Sequence, residues 1–164
     1  PFTCALTSAL CGKPVLMEEF GGCTALPGEA TYTMKWTETN GREREQFMAG
    51  EEDFAEYIQQ VLPKLQHSGA TGAMLWCYAD YIPALWDLPP CQNAVHERFF
   101  GLVRPDGSLK PHAKVIQEFA KTNPQVQPIP EYARLSVNPD AYYKEPLGYL
   151  ADLYQEYLKG LEHA

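Results

Sequence analysis

Two short apolar runs with an amphipathic stretch between them constrain this chain more than any other feature. Residues 13–18 (KPVLME) follow Gly12 and end just before Phe20-Gly21-Gly22, and residues 70–78 (ATGAMLWCY) lie between Gly69 and Asp80. Each run is short and apolar through its middle and is bounded by glycine or aspartate, which reads as a strand covered on both faces. Between them, Phe54, Ile58, Val61, Leu62 and Leu65 recur on one helical face, behind acidic Glu51, Glu52 and Asp53 at the helix start. The helix is expected to stop near Gly69. Two strands in one sheet joined through a helix run parallel, so residues 13–78 predict a βαβ unit.

The connections are unequal. Ser68-Gly69 leaves almost no turn from helix to second strand, whereas residues 21–50 and 79–100 form two long strand-to-helix loops without a clear period. Sites in parallel α/β folds are built where strands end and helices begin, so these loops mark the expected functional face. Residues 1–10 look like the end of a helix. A start at Pro1 suggests a piece of something longer. Past the second loop, Arg104-Pro105-Asp106-Gly107 reads as a turn into a helix carrying Val115, Ile116 and Phe119. After Thr122 come Pro124, Pro128 and Pro130, then a segment where Leu147, Leu150, Leu153, Tyr154, Tyr157, Leu158 and Leu161 recur at three- and four-residue steps. The expected division is therefore residues 1–122, and 123–164 as a Pro-rich linker with an amphipathic helical tail.

Composition narrows the partners. A net charge of -8 repels phosphate backbones, so nucleic acid is not expected. No run approaches the ~18 to 20 apolar residues of a membrane span. Five cysteines (Cys4, Cys11, Cys23, Cys77, Cys91) make no CxxC pair, and an odd number cannot all pair within one chain, which favours reduced thiols and a cytoplasmic setting. No metal-ligand spacing such as H-x-x-x-H occurs, and neither a metal nor another cofactor is expected.

Chemistry concentrates at the strand ends. Glu18 and Glu19 close the first strand, and alternation lets only one of them face a common site. Taken alone, such a pair is most often two solvated acids. Trp76, Tyr78, Asp80 and Tyr81 follow the second strand, while Trp36, Trp86, His96 and Glu97 lie in the long loops. Flat aromatic faces suit pyranose rings and His or acid side chains can hydrogen-bond hydroxyls, although loop packing explains each residue about as well.

Three segments carry a family resemblance. Residues 13–22 (KPVLMEEFGG) resemble the seventh strand of clan A glycoside hydrolases, the clan that includes family 5 cellulases and mannanases; residues 72–81 (GAMLWCYADY) resemble its eighth strand; residues 100–111 (FGLVRPDGSLKP) resemble the D-G-x-x-K-P stretch before its last barrel helix. The resemblance implies an α/β fold, a partial (βα)8 TIM barrel containing the last two βα units, with a C-terminal helical extension. It further implies a retaining hydrolase of β-linked glucosides, galactosides or mannosides, with Glu19 as nucleophile and Trp76 as the platform under the sugar. Retention requires a second carboxyl group ~5 to 5.5 Å away. The family takes it from a Glu after Asn on the fourth strand, which has no counterpart here; Glu18, Asp80, Asp87 and Glu97 are the substitutes within this sequence, and Glu18 is a weak one.

Two other readings stand beside this one. The chain could be a non-catalytic barrel fragment that binds carbohydrate at most, or part of another barrel enzyme with a Glu at the same strand end. Two strands alone leave open edges, so a homo-oligomer is expected to cover them, with the heptad-like tail as its seam.

Overall fold

A computed structural model describes residues 1–38 and 40–163. Along the chain lie α1 (Phe2–Cys11), β1 (Leu16–Phe20), β2 (Tyr32–Thr37), β3 (Glu43–Met48), α2 (Glu51–His67), β4 (Gly72–Leu75), α3 (Pro111–Lys121), α4 (Pro139–Lys144) and α5 (Pro146–Glu162), with short 3-10 turns at Pro83–Leu85, Val95–Phe99 and Glu131–Ala133. β1 pairs with β4, and β2 pairs with β3. Thr71 N–H donates to Val15 O and Trp76 N–H to Phe20 O, so the partner advances from 15 to 20 as the chain advances from 71 to 76. That common direction makes β1 and β4 parallel, with α2 between them as the crossover.

The strands are shorter than expected, and their cover is thinner. β1 begins at Leu16, because Pro14 has no N–H to offer a ladder, and it extends past Glu18 through Glu19 to Phe20. β4 ends at Leu75 instead of Tyr78. Beyond it Cys77 N–H turns to Phe100 O, after a cis peptide between Trp76 and Cys77. The sheet has two strands among the described residues, and Leu16 and Met74 remain about half exposed, where cover on both faces was expected.

The loop 21–50 departs most from expectation, since it contains an antiparallel hairpin. Tyr32 faces Met48, Met34 faces Gln46 and Trp36 faces Arg44. Residues directly opposite share a face, which places Met34, Trp36, Gln46 and Met48 together; Met48 is fully buried. Asn40-Gly41, flanked by alternating side chains, is the sequence signal of such a turn. Gly41 takes φ +82° and donates its N–H to Glu38 O at 2.9 Å.

Contacts divide the chain into two units: residues 1–18, 62–74 and 124–164, and residues 19–61 and 75–123. The core of the first gathers Ala5 and Leu6 of α1, Ala133 and Leu135 of the linker, and Leu153 and Tyr157 of α5. Phe2 meets the rings of Tyr154 and Tyr157 edge-on at 5.0 and 5.6 Å. The Pro-rich segment is fixed to the end of α2: Gln66 donates to Gln125 O at 3.0 Å, and a Cβ at Gly69, whose φ is +81°, would lie 2.8 Å from Ile129. In the second unit Cys23, Ala25, Met48 and Phe99 are buried together, with Met34, Trp86, Val95 and Phe100 against them. None of the described helices is long and apolar enough to cross a membrane.

Candidate functional site

The residues singled out from the sequence separate into three environments. The first is the open strand end. Glu18 and Glu19 are both exposed at the end of β1, and Trp76 and Tyr78 stand 49% and 76% exposed after β4. The backbone bond from Trp76 N–H to Phe20 O, 3.3 Å, joins the residue after Glu19 to the indole-bearing residue across the parallel pair. Gly21 is required immediately beyond: its φ is +114°, and a Cβ there would lie 3.1 Å from Leu75 and 3.4 Å from Phe54.

A second group is brought together by the hairpin. The Trp36 ring lies 5.7 Å from that of His96, which in turn meets Phe100 at 6.3 Å. His96 Nε2 lies 3.7 Å from a Glu97 carboxylate oxygen. Residues sixty positions apart, one in each long loop, thus meet at one aromatic pair, with the Glu97 carboxylate at its edge.

The third group serves the loops themselves. Trp86 donates its indole N–H to Tyr81 O at 2.8 Å, packs edge-on to Phe99 at 5.7 Å and carries the Arg98 guanidinium 5.0 Å above its ring. Arg98 also donates to Cys91 O and Trp86 O, at 3.0 and 3.2 Å. These contacts occupy the polar edge of Trp86 and hold Tyr81 through its backbone. Asp80 differs most from its expected place among sugar-binding or acid groups. It is 8% exposed, ion-paired with Lys110 at 2.8 Å and accepting the Gly101 N–H at 2.7 Å. Burial pushes its carboxyl up and the Lys110 ammonium down, while the contact between them opposes both shifts. These contacts bind the carboxylate to the loops that surround it.

Sequence reasoning missed the groups that hold this face. Lys110 is 1% exposed and touches three elements at once; its motif was seen, but its burial was not. Arg104 grips Glu51 through two parallel hydrogen bonds, Nε to Oε1 at 2.8 Å and Nη2 to Oε2, and donates Nη1 to Leu109 O at 3.0 Å. That carboxylate raises the guanidinium's affinity for its proton further. His112, fully buried, meets the Phe54 ring at 4.7 Å, and burial lowers its pKa to about 4. A cavity of about 440 Å³, lined by Gly21, Gly22, Cys23, Phe47, Phe54 and Tyr57 among others, lies beside the residues after β1; none of the expected catalytic or sugar-binding residues lines it. No group of described His, Cys, Asp or Glu side chains could hold a metal ion, and all five cysteines are free thiols.

A parallel strand pair crossed by a helix, with acids at one strand end, an exposed indole beyond the other and long loops after both, is a mixed α/β arrangement. Over about a quarter of their length the fold of this chain matches GH5_18 glycoside hydrolases, which belong to family 5 of the clan that the three sequence motifs resemble. GH5_18 from Bifidobacterium longum subsp. longum ATCC 55813 matches with a TM-score of 0.54 at 18% identity, over 79% of this chain and 25% of that one. A substituted form of it in complex with Manb1-4GlcNAc matches at 0.52 and 19% identity, over 77% and 25%. A GH5_18 from Streptomyces cattleya, also in complex with Manb1-4GlcNAc, matches at 0.52 and 19%, over 79% and 26%. The chain thus spans about a quarter of the length of these structures. No family model and no curated relative matches it.

Proposed function

We propose that this chain carries the nucleophile side of a retaining β-glycosidase site, with Glu19 attacking the anomeric carbon and Trp76 supporting the sugar ring. The observation that supports this most is the position of Glu19: exposed at the end of a parallel strand, across the pair from an exposed indole, in a fold shared with glycoside hydrolases. Residues 1–122 would then supply the last two βα units of a (βα)8 barrel, and residues 123–164 an extension of it. The complexes of two neighbours with Manb1-4GlcNAc favour β-mannosides among the three sugars considered. Tyr78 widens the apolar platform beside Trp76. Trp36, His96 and Glu97 offer a second aromatic and polar edge for a neighbouring sugar unit. Trp86, Tyr81 and Asp80 act through the loops they fix. No acid/base is chosen within the chain, since Asp80 is engaged by Lys110 and Glu18 alternates to the other side of β1 from Glu19. The five free thiols fit a cytoplasmic setting.

Hydrolysis of 2,4-dinitrophenyl β-glycosides tests this reading, because that leaving group departs with little need of an acid. Wild-type chain should release dinitrophenol, fastest from the mannoside, and Glu19→Ala should lower the rate by roughly 10³-fold or more. A folded wild-type sample inactive on every sugar would remove the proposal.

A second reading, an assembly module without turnover, draws on α5. Leu147, Leu150, Tyr154 and Leu161 are exposed and, with buried Tyr157 between the last two, recur at alternating three- and four-residue steps, the pattern of a helix seam between copies.

A further inference from the structure

The D-G-x-x-K-P motif has a task that its resemblance does not specify. Asp106 accepts hydrogen bonds from Ser108 N–H and its hydroxyl, at 2.9 and 2.7 Å, and Gly107 at φ +84° closes the turn back to Arg104 O. The returning segment makes an isolated antiparallel bridge from Leu109 to Val103, and Lys110 N–H donates to Leu102 O at 2.9 Å. Pro111 then begins α3 and carries the chain away. This local geometry aims Lys110 inward.

All three ammonium protons find acceptors. Lys110 Nζ donates to Thr24 Oγ1 at 2.8 Å, to Asp80 at 2.8 Å and to Phe99 O at 3.1 Å. Thr24 lies five residues after Glu19 on the loop that leaves β1, and Asp80 four after Trp76 on the loop that leaves β4. Segment 99–103 lies between the two loops: Thr24 N–H donates to Phe99 O, Cys77 N–H to Phe100 O and Leu102 N–H to Tyr78 O, each at 3.0 Å. Thr24 Oγ1 itself donates to Phe99 O at 3.3 Å, and Gly101 N–H donates to Asp80. One buried cation therefore links both strand-end loops and the segment between them.

We propose that Lys110 is a positioning residue that fixes the loop after Glu19 against the loop after Trp76. If the network served stability alone, replacing Lys110 by an apolar side chain would cost stability, since Asp80 would be left buried without its partner, but would leave the strand ends in place. The positioning role requires the opposite. The catalytic half of the proposal rests on the glycosidase reading; the structural half does not.

The two halves are read separately in the full chain. With 5-fluorotryptophan incorporated and its resonances assigned through Trp76→Phe, the Trp76 ¹⁹F signal should shift and broaden in Lys110→Met and in the milder Thr24→Val. It should stay in place in Ile58→Ala, a core variant of comparable destabilisation away from the network. On 2,4-dinitrophenyl β-mannoside, Lys110→Met should lower kcat on the order of 10²-fold while KM changes by less than about threefold, with Ile58→Ala near wild type. An unmoved Trp76 signal in folded Lys110→Met, or an equal shift in Ile58→Ala, overturns the proposal. Should Lys110→Met not fold, Thr24→Val decides on the same signal. A wild-type chain without turnover removes the glycosidase reading, and the Trp76 resonance then decides the positioning role alone.

Discussion

At the scale of single residues, buried polar groups set the strictest demands. Gly101 lies so close to the chain at Ala79 and Asp80 that an added Cβ would stand 2.1 Å from Asp80 N. Backbone cannot give way as a flexible side chain can, so Gly101→Ala is expected to lower stability by about 3 kcal/mol in urea unfolding and to displace Asp80 from Lys110. His112 gives a pH dependence. Its ring is held neutral in the fold, with a pKa of about 4 against an ordinary 6.5, because burial penalises the charged form. The unfolded chain therefore binds more protons between these values. The stability tied to the neutral ring is complete above pH 6.5 and is lost as pH falls toward 4, by about 3 kcal/mol. His112→Leu should flatten that part of the stability profile, which urea midpoints at pH 7 and pH 4.5 would measure.

At the scale of elements, the joints matter more than the propensities. Glu51 begins α2 and is held by Arg104 from the turn before α3, with both side chains largely buried. Removing one partner leaves the other charge buried, so Glu51→Ala should destabilise by about 3 kcal/mol, more than a surface ion pair such as Lys35 with Glu45 would yield. The hairpin depends on its turn. Gly41→Val places a β-branched residue at φ +82° and should lower stability by roughly 1–2 kcal/mol. Because β2 carries Trp36 to His96, the same variant should speed amide hydrogen exchange in β2 and β3 and in Val95–Phe99, while leaving α1 and α5 unchanged.

For the molecule as a whole, the first unit keeps apolar surface open. Leu16 and Met74 are exposed on the parallel pair, and Leu147 on α5 is 80% exposed. Exposed apolar groups at heptad spacing predict self-association through α5 if this chain exists alone. Sedimentation equilibrium should show an oligomer that Leu147→Glu with Leu150→Glu dissolves without loss of helicity; a wild-type monomer at high concentration would remove the assembly reading.

What the sequence determined by itself was local and periodic. Phe54, Ile58, Leu62 and Leu65 announce α2 because a helix returns a side chain to the same face every three or four residues, and the acids ahead of them announce its start. The apolar runs around Val15 and Met74 gave the βαβ order because a short apolar run bounded by glycine or aspartate reads as a strand, and the EEF and D-G-x-x-K-P motifs gave part of the family resemblance. The hairpin was legible too in Asn40-Gly41, but its alternation is partial, since Phe47 is exposed and β3 begins with three charged residues. Only the tertiary structure decided which polar side chains are buried. Asp80, Trp86 and Lys110 look like surface chemistry in a list of residues, yet their partners lie up to 86 positions away along the chain. Burial of a charge depends on whether distant acceptors converge on it, and convergence is a property of the packed loops, which no period in the sequence records.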